Sequence, residues 1–251
     1  MLDTFLDHLR SKRAKRLMST SRYRDQLADL PASLYPYWAQ TACREFNRIP
    51  RDVLFFSFAA EALMEFFDCV ASSGAPCALP SKAADSVWHA WLSHAPATLQ
   101  HFCRKHYQRP IPHLQAAAMP GPMDEALAHC LVTARRVANV APGGIYLPRL
   151  FSTDRLLRMP YGFGYRRVGN KIGVADLDAR GRYRGHESFP TSLRPAGLLA
   201  SRLIEPWEMP DPWSESIGAG GASADDGNAG SDGGSCGSSC GGGCGGGGGG
   251  D

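Results

Sequence analysis

The longest apolar run in the chain covers residues 52–71. Val53, Leu54, Phe55, Phe56, Phe58, Ala59, Ala60, Ala62, Leu63, Phe66, Phe67 and Val70 leave Glu61, Glu65 and Asp68 together on a polar side. A helix this apolar is expected at the centre of a helical domain. About 20 residues are enough to cross a bilayer, but the three acidic side chains argue against a span. Upstream, Tyr35, Trp38, Ala39, Ala42, Cys43 and Phe46 recur at spacings of three and four, which predicts a helix over 35–47. Ile49-Pro50 stops it, because the residue before a proline is pushed out of helical geometry. Ser72-Ser73-Gly74-Ala75-Pro76 ends the apolar helix, and Ser81 is placed to cap the next one.

Residues 80–113 read as two helices joined at Pro96. The first presents Ala84, Val87, Trp88 and Trp91 as its apolar stripe. The second turns Leu99, Phe102, Cys103, His106 and Tyr107 inward, and Pro110 and Pro112 stiffen its exit toward His113. After a loop at Met119-Pro120-Gly121-Pro122, a helix is predicted over 123–138 with Ala126, Leu127, Cys130, Leu131 and Ala134 inward. Pro142-Gly143-Gly144 marks a turn, and 147–157 forms a short helix with Pro148 in its first turn.

The texture then changes to the aromatic-glycine alternation Tyr161-Gly162-Phe163-Gly164-Tyr165. Residues 171–177 and 182–185 flank Asp178-Ala179-Arg180-Gly181 as a hairpin near 171–185. Residues 198–204 close the domain as a short helix or strand. The predicted fold class is mainly α: a helical domain with a small C-terminal β-hairpin and a disordered Gly/Cys-rich tail. Three segments follow: a basic N-terminal helical segment (1–30), the helical domain with its hairpin (31–213) and the tail (214–251).

Charge sharpens this division. Five of the 24 acidic residues and none of the 27 basic ones fall in 214–251, so residues 1–213 carry a net charge of +8. Scattered surface charge is the expected reading of that excess. In the N-terminal helix, Leu2, Phe5, Leu6 and Leu9 make a narrow stripe followed by Arg10, Lys12, Arg13, Lys15 and Arg16. With Asp3 and Asp7 diluting the charge, this reads as a solvated helix packed by its few leucines rather than a membrane or nucleic-acid binder. Residues 218–251 hold 17 glycines and almost nothing apolar to bury, which predicts disorder. Cys236, Cys240 and Cys244 recur there every four residues. Thiolates at that spacing can hold a soft metal, although a flexible chain offers no supporting shell.

Five further cysteines (Cys43, Cys69, Cys77, Cys103 and Cys130) lie at wide, irregular spacings. That suits reduced thiols better than a disulfide framework. Residues 1–17 lack the apolar run of a signal peptide. Cytoplasmic location and no membrane span are the expectations.

The candidate chemistry lies in residues 80–113, which contain five of the eight histidines. Asp85 and His89 stand at i and i+4 on one flank of the tryptophan stripe. His94 falls roughly 140° around the helix from His89, and His101 points away from the inner face of its own helix. Cys103 faces the core in mid-helix, where no helix N-terminus lowers its pKa, so a nucleophile role is disfavoured. An antiparallel helix pair returns His113 toward Asp85 and His89. Two imidazoles and one carboxylate are the ligand set of open zinc and non-haem iron sites. The same residues also suit a structural arrangement in which Asp85 fixes the His89 tautomer and His113 caps a carbonyl.

The pattern Asp85-x-x-Trp88-His89, Phe102-Cys103 and Ile111-x-His113 resembles the glycine-rich domain-containing proteins, a family with plant and bacterial members. The resemblance covers residues 50–115 and weakens toward 165. It implies an architecture and no settled activity. Leu99 stands where the family has tyrosine, Gln108 where it has glycine, and Trp91 where plant members carry a second histidine.

Two function classes remain. One is a non-catalytic structural or interaction protein, with Asp85, Trp88, His89 and His113 as a buried polar-aromatic knot, no cofactor and an unidentified protein partner. The other is a metal-binding module or metal-dependent enzyme using Asp85, His89 and His113 with zinc or iron. Weak nucleic-acid binding by the basic body is a further alternative, disfavoured by the lack of a recognition motif.

Overall fold

A computed structural model describes residues 2–114 and 121–209. The tail and its cysteines Cys236, Cys240 and Cys244 lie outside them. Among the described residues, nine α-helices form the body: α1 (Leu2–Thr20), α2 (Arg24–Ala28), α3 (Leu34–Glu45), α4 (Val53–Ser72), α5 (Lys82–His94), α6 (Pro96–Tyr107), α7 (Met123–Val137), α8 (Arg149–Leu157) and α9 (Pro195–Ala200). One antiparallel sheet in the order β1-β2-β3 follows α8, from Phe163–Val168, Lys171–Leu177 and Tyr183–Ser188. The fold is mainly α, as the apolar periodicity predicts.

The apolar run becomes α4, and the other helices collect around it. Asp52 caps it, accepting from the backbone N–H groups of Leu54 and Phe55 at 3.1 Å. Phe55, Phe56, Leu63, Met64, Phe66 and Phe67 are buried against α1, α5, α7 and α8. Its acidic side is covered rather than solvated. Glu61 is buried, accepting from Ser21 Oγ at 2.6 Å and pairing with Arg149 at 2.5 Å. Asp68 pairs with Arg22 at 3.2 Å. A buried carboxylate needs such partners, and α8 and the link from α1 to α2 supply them.

The N-terminal helix differs from expectation. Leu6 and Leu9 are exposed, whereas Ala14 is buried and Met18 packs on the core, both in the second half of α1. Tyr23 and Leu27 then enter the common core.

The hairpin near 171–185 is present as β2 and β3, and the aromatic-glycine segment adds β1 to give three strands. Phe163 pairs with Asp176, and Val168 with Lys171. Residues 195–200 resolve the closing segment as helix α9.

Candidate functional site

Helix α5 carries the site, and two anchors fix its position. Ser81 accepts from the Ala84 N–H at 3.1 Å as the N-cap. Ser81 Oγ also donates to Asp154 of α8 at 2.7 Å. The Asp154 carboxylate further accepts from the N–H groups of Lys82 (2.9 Å), Ala83 (3.0 Å) and Phe163 (2.9 Å). Asp154 is fully buried, and burial pushes its pKa above the ordinary value against the pull of these four hydrogen bonds. A carboxylate at a helix N-terminus also meets the positive end of the helix dipole. Gly162 makes room for it, since a Cβ there would stand 2.7 Å from Asp154 Oδ2. At the middle of α5, Ser86 Oγ accepts from the Trp38 indole N–H at 3.0 Å, which ties α3 to α5.

With α5 held, Ala84, Val87, Trp88 and Trp91 are buried, while Asp85 and His89 sit part-exposed on the flank. Helix α6 runs back from Pro96 and ends at Gln108 in left-handed geometry with φ 57°. That is the place where glycine is the easier residue. Ile111 is buried. Burial pushes the Cys103 thiol up to about 11, in keeping with a core role. The stiffened exit brings His113 edge-on to Trp88, with ring centroids 4.5 Å apart.

Asp85, His89 and His113 therefore converge. His89 Nε2 lies 3.1 Å from His113 Nε2, His113 Nε2 lies 3.2 Å from Asp85 Oδ1, and His89 Nε2 lies 3.5 Å from that oxygen. An ion with bonds of about 2.0–2.2 Å holds neighbouring ligand atoms roughly 2.8–3.6 Å apart as the angle opens from octahedral to tetrahedral. All three edges fall in that interval. Among the described residues, this is the trio whose ligand atoms lie within 4.8 Å of one another.

The fourth member is Glu45, at the end of α3. Its Oε2 lies 2.6 Å from His89 Nδ1. A carboxylate accepts, so Nδ1 of His89 donates to Glu45, and Nε2 of the same ring faces His113 and Asp85. Phe46 packs edge-on against the same ring at 5.9 Å. A histidine ligand whose second nitrogen donates to a carboxylate is a recurrent arrangement at metal centres. Glu45 has no local signal in sequence. It stands 44 residues from His89, and the Trp38–Ser86 bond that brings its helix alongside is equally non-local.

Trp88 packs on Phe66 and Phe67, and its buried indole N–H has no hydrogen-bond partner among the described residues. It supplies a wall and no polar link. His94 stacks on Tyr37 and meets Ser33, and His101 is exposed. Both lie apart from the trio, as the helical wheel predicts.

A family model described as UCP032817-like matches residues 56–179, which include Asp85, His89 and His113 but not Glu45. No curated protein and no solved structure matches the chain. No helix among the described residues is long and apolar enough to cross a membrane.

Proposed function

We propose that the helical domain is a mononuclear metal-binding module whose protein ligands are Asp85 Oδ1, His89 Nε2 and His113 Nε2. The observation that carries this reading is the triangle of possible ligand atoms with edges of 3.1, 3.2 and 3.5 Å. A purely structural knot sets donors against acceptors. Without an ion, a proton on His113 Nε2 serves Asp85 or His89 and leaves the 3.5 Å His89–Asp85 edge without one, while the proton on His89 Nδ1 is committed to Glu45. A divalent ion satisfies all three atoms at once.

Two imidazoles and a carboxylate suit zinc, iron(II) and their neighbours. Three protein ligands leave coordination positions for water or an exchangeable small ligand, as at sites where a metal takes part in chemistry. The side chains of Asp85, His89 and His113 retain 30 %, 31 % and 20 % exposure, which gives such a ligand a path in. The Asp85-x-x-Trp88-His89 motif supports kinship with the glycine-rich domain-containing proteins, which would then share this ligand set.

The test uses the full chain with Cys236, Cys240 and Cys244 changed to serine, so that tail thiols contribute nothing. Purified after growth with zinc and iron supplied, it is expected to carry close to one equivalent of metal. His113→Ala and His89→Ala are expected to lose that metal while keeping their helical circular dichroism. A metal content no higher than in these variants would overturn the proposal. Collapse of folding on His89→Ala, with no metal in the parent, would favour the structural knot.

A further inference from the structure

Part of the chain's basic excess gathers at one end of the sheet. Phe163 of β1 pairs with Asp176 of β2, and Leu177 of β2 with Tyr183 of β3, so the start of β1 and the turn from β2 to β3 share that end. The link that leaves α8 is packed onto this turn. The Tyr161 N–H donates to the Asp178 carbonyl at 3.1 Å. Gly181 lies so close to Arg158 that a Cβ on it would stand 2.3 Å from the Arg158 backbone. Arg158 and Tyr161 both hold left-handed geometry, with φ 52° and 56°. Residues with a Cβ keep that geometry only where the surrounding structure fixes it, so the backbone that presents them is set.

Five exposed arginines stand at this end: Arg155, Arg158, Arg180, Arg182 and Arg184. The Arg155 guanidinium lies over the Tyr183 ring at 5.6 Å, which ties the end of α8 to β3. The acidic residues among them are engaged. Asp178 is half-buried, and its Oδ1 accepts from the backbone N–H groups of Arg180 at 2.7 Å and Arg182 at 2.9 Å. Asp176 stands opposite Arg184 in the strand register. Beside these arginines in the chain, Leu156 is 67 % exposed and Tyr161 38 %.

We propose that this end of the domain is a peripheral docking surface for an anionic lipid bilayer, with the arginines on the headgroup phosphates and Leu156 and Tyr161 entering the interface. A guanidinium matches phosphate in a forked, two-bond geometry. Exposed leucine and tyrosine side chains gain by leaving water for the headgroup boundary. Such contact needs no spanning helix. A nucleic acid would also meet the arginines, but single-stranded bases are held by stacking on aromatic faces. Tyr183 is not offered for that: it is half-buried, its hydroxyl donates to the Tyr165 carbonyl at 3.0 Å, and the Arg155 and Arg166 guanidiniums lie against its ring. Leu156 gains nothing from a phosphate backbone.

The full chain is sedimented with phosphatidylcholine vesicles, with and without phosphatidylserine, in the presence of a chelator so that no metal bridges protein to lipid. Binding is expected to the phosphatidylserine vesicles alone and to weaken as salt is raised. Each arginine is expected to contribute about fivefold in affinity, so Arg180→Ala/Arg182→Ala should bind about 25-fold more weakly. Leu156→Ser should weaken binding and leave its salt dependence unchanged. Lys12→Ala/Arg13→Ala, on the basic N-terminal helix, should bind as the parent does. No association of the parent with phosphatidylserine vesicles would overturn the proposal, whatever the folding of the variants. So would loss of binding in the Lys12/Arg13 variant with none in the Arg180/Arg182 variant. Tighter binding of a single-stranded RNA than of the vesicles, unaffected by Leu156→Ser, would assign the surface to nucleic acid instead.

Discussion

Replacing Glu45 by glutamine tests the site through a residue that does not touch the ion. The change keeps the side chain's size and its carbonyl oxygen, so the 2.6 Å contact to His89 Nδ1 can re-form as a neutral hydrogen bond. What is lost is the negative charge that orients the ring and raises the basicity of Nε2. Loss of such supporting partners costs about 10–100-fold in metal affinity. Glu45 is 55 % exposed, so water and salt screen its charge. The lower end, about tenfold or ~1.4 kcal/mol, is therefore expected. Zinc affinity is measured by competition with a chromophoric chelator at low and high salt. The gap between parent and Glu45→Gln should narrow at high salt, where the Debye length falls to about 3 Å. His89→Ala should lose far more affinity and show no such salt dependence. Equal affinities for parent and Glu45→Gln at low salt would refute the role assigned to Glu45.

Two further substitutions probe the frame around the site. Asp154→Ala leaves three donors at the start of α5 and the Phe163 N–H of β1 without their acceptor, two of the four on buried residues. Each buried donor left unsatisfied costs about 1–3 kcal/mol, so urea unfolding should show a loss of roughly 2–6 kcal/mol, and a loss below about 1 kcal/mol would contradict the assigned anchor. Asp29 is held below the ordinary carboxylate range by its hydrogen bonds from Lys105 and then His106. Its contribution is present above the unfolded-state value and lost as pH falls through the lowered native one. The difference in urea midpoint between parent and Asp29→Asn should therefore be present at neutral pH and close as pH drops below about 4. A difference independent of pH would count against it.

The helices around the site were legible because each rule that names them is local. Apolar spacing gives α3 to α7, Ser81 and Pro96 mark the starts of α5 and α6, and i, i+4 geometry sets Asp85 beside His89. Even His113 follows from one antiparallel return. The parts that escaped depend on chain segments far apart in sequence. Asp154 looks like an ordinary polar residue of a short helix until α8 docks on the N-terminus of α5. Glu45 looks like a solvated helix end until α3 lies along α5. Strand β1 has a buried start and an exposed end, Arg166 to Val168, so it lacks the alternation that marks a half-buried strand. The leucines of α1 mislead for the opposite reason: a short apolar stripe predicts packing that the helix makes with its other half.

Metal content of the purified protein tests the central claim most directly. The full chain with its tail cysteines removed is grown with zinc and iron supplied, and metal is measured per chain beside the Asp85→Asn, His89→Ala and His113→Ala variants. A metal-binding trio predicts close to one equivalent in the parent and little in each folded variant. A parent that carries no metal and takes up none from added zinc would contradict it.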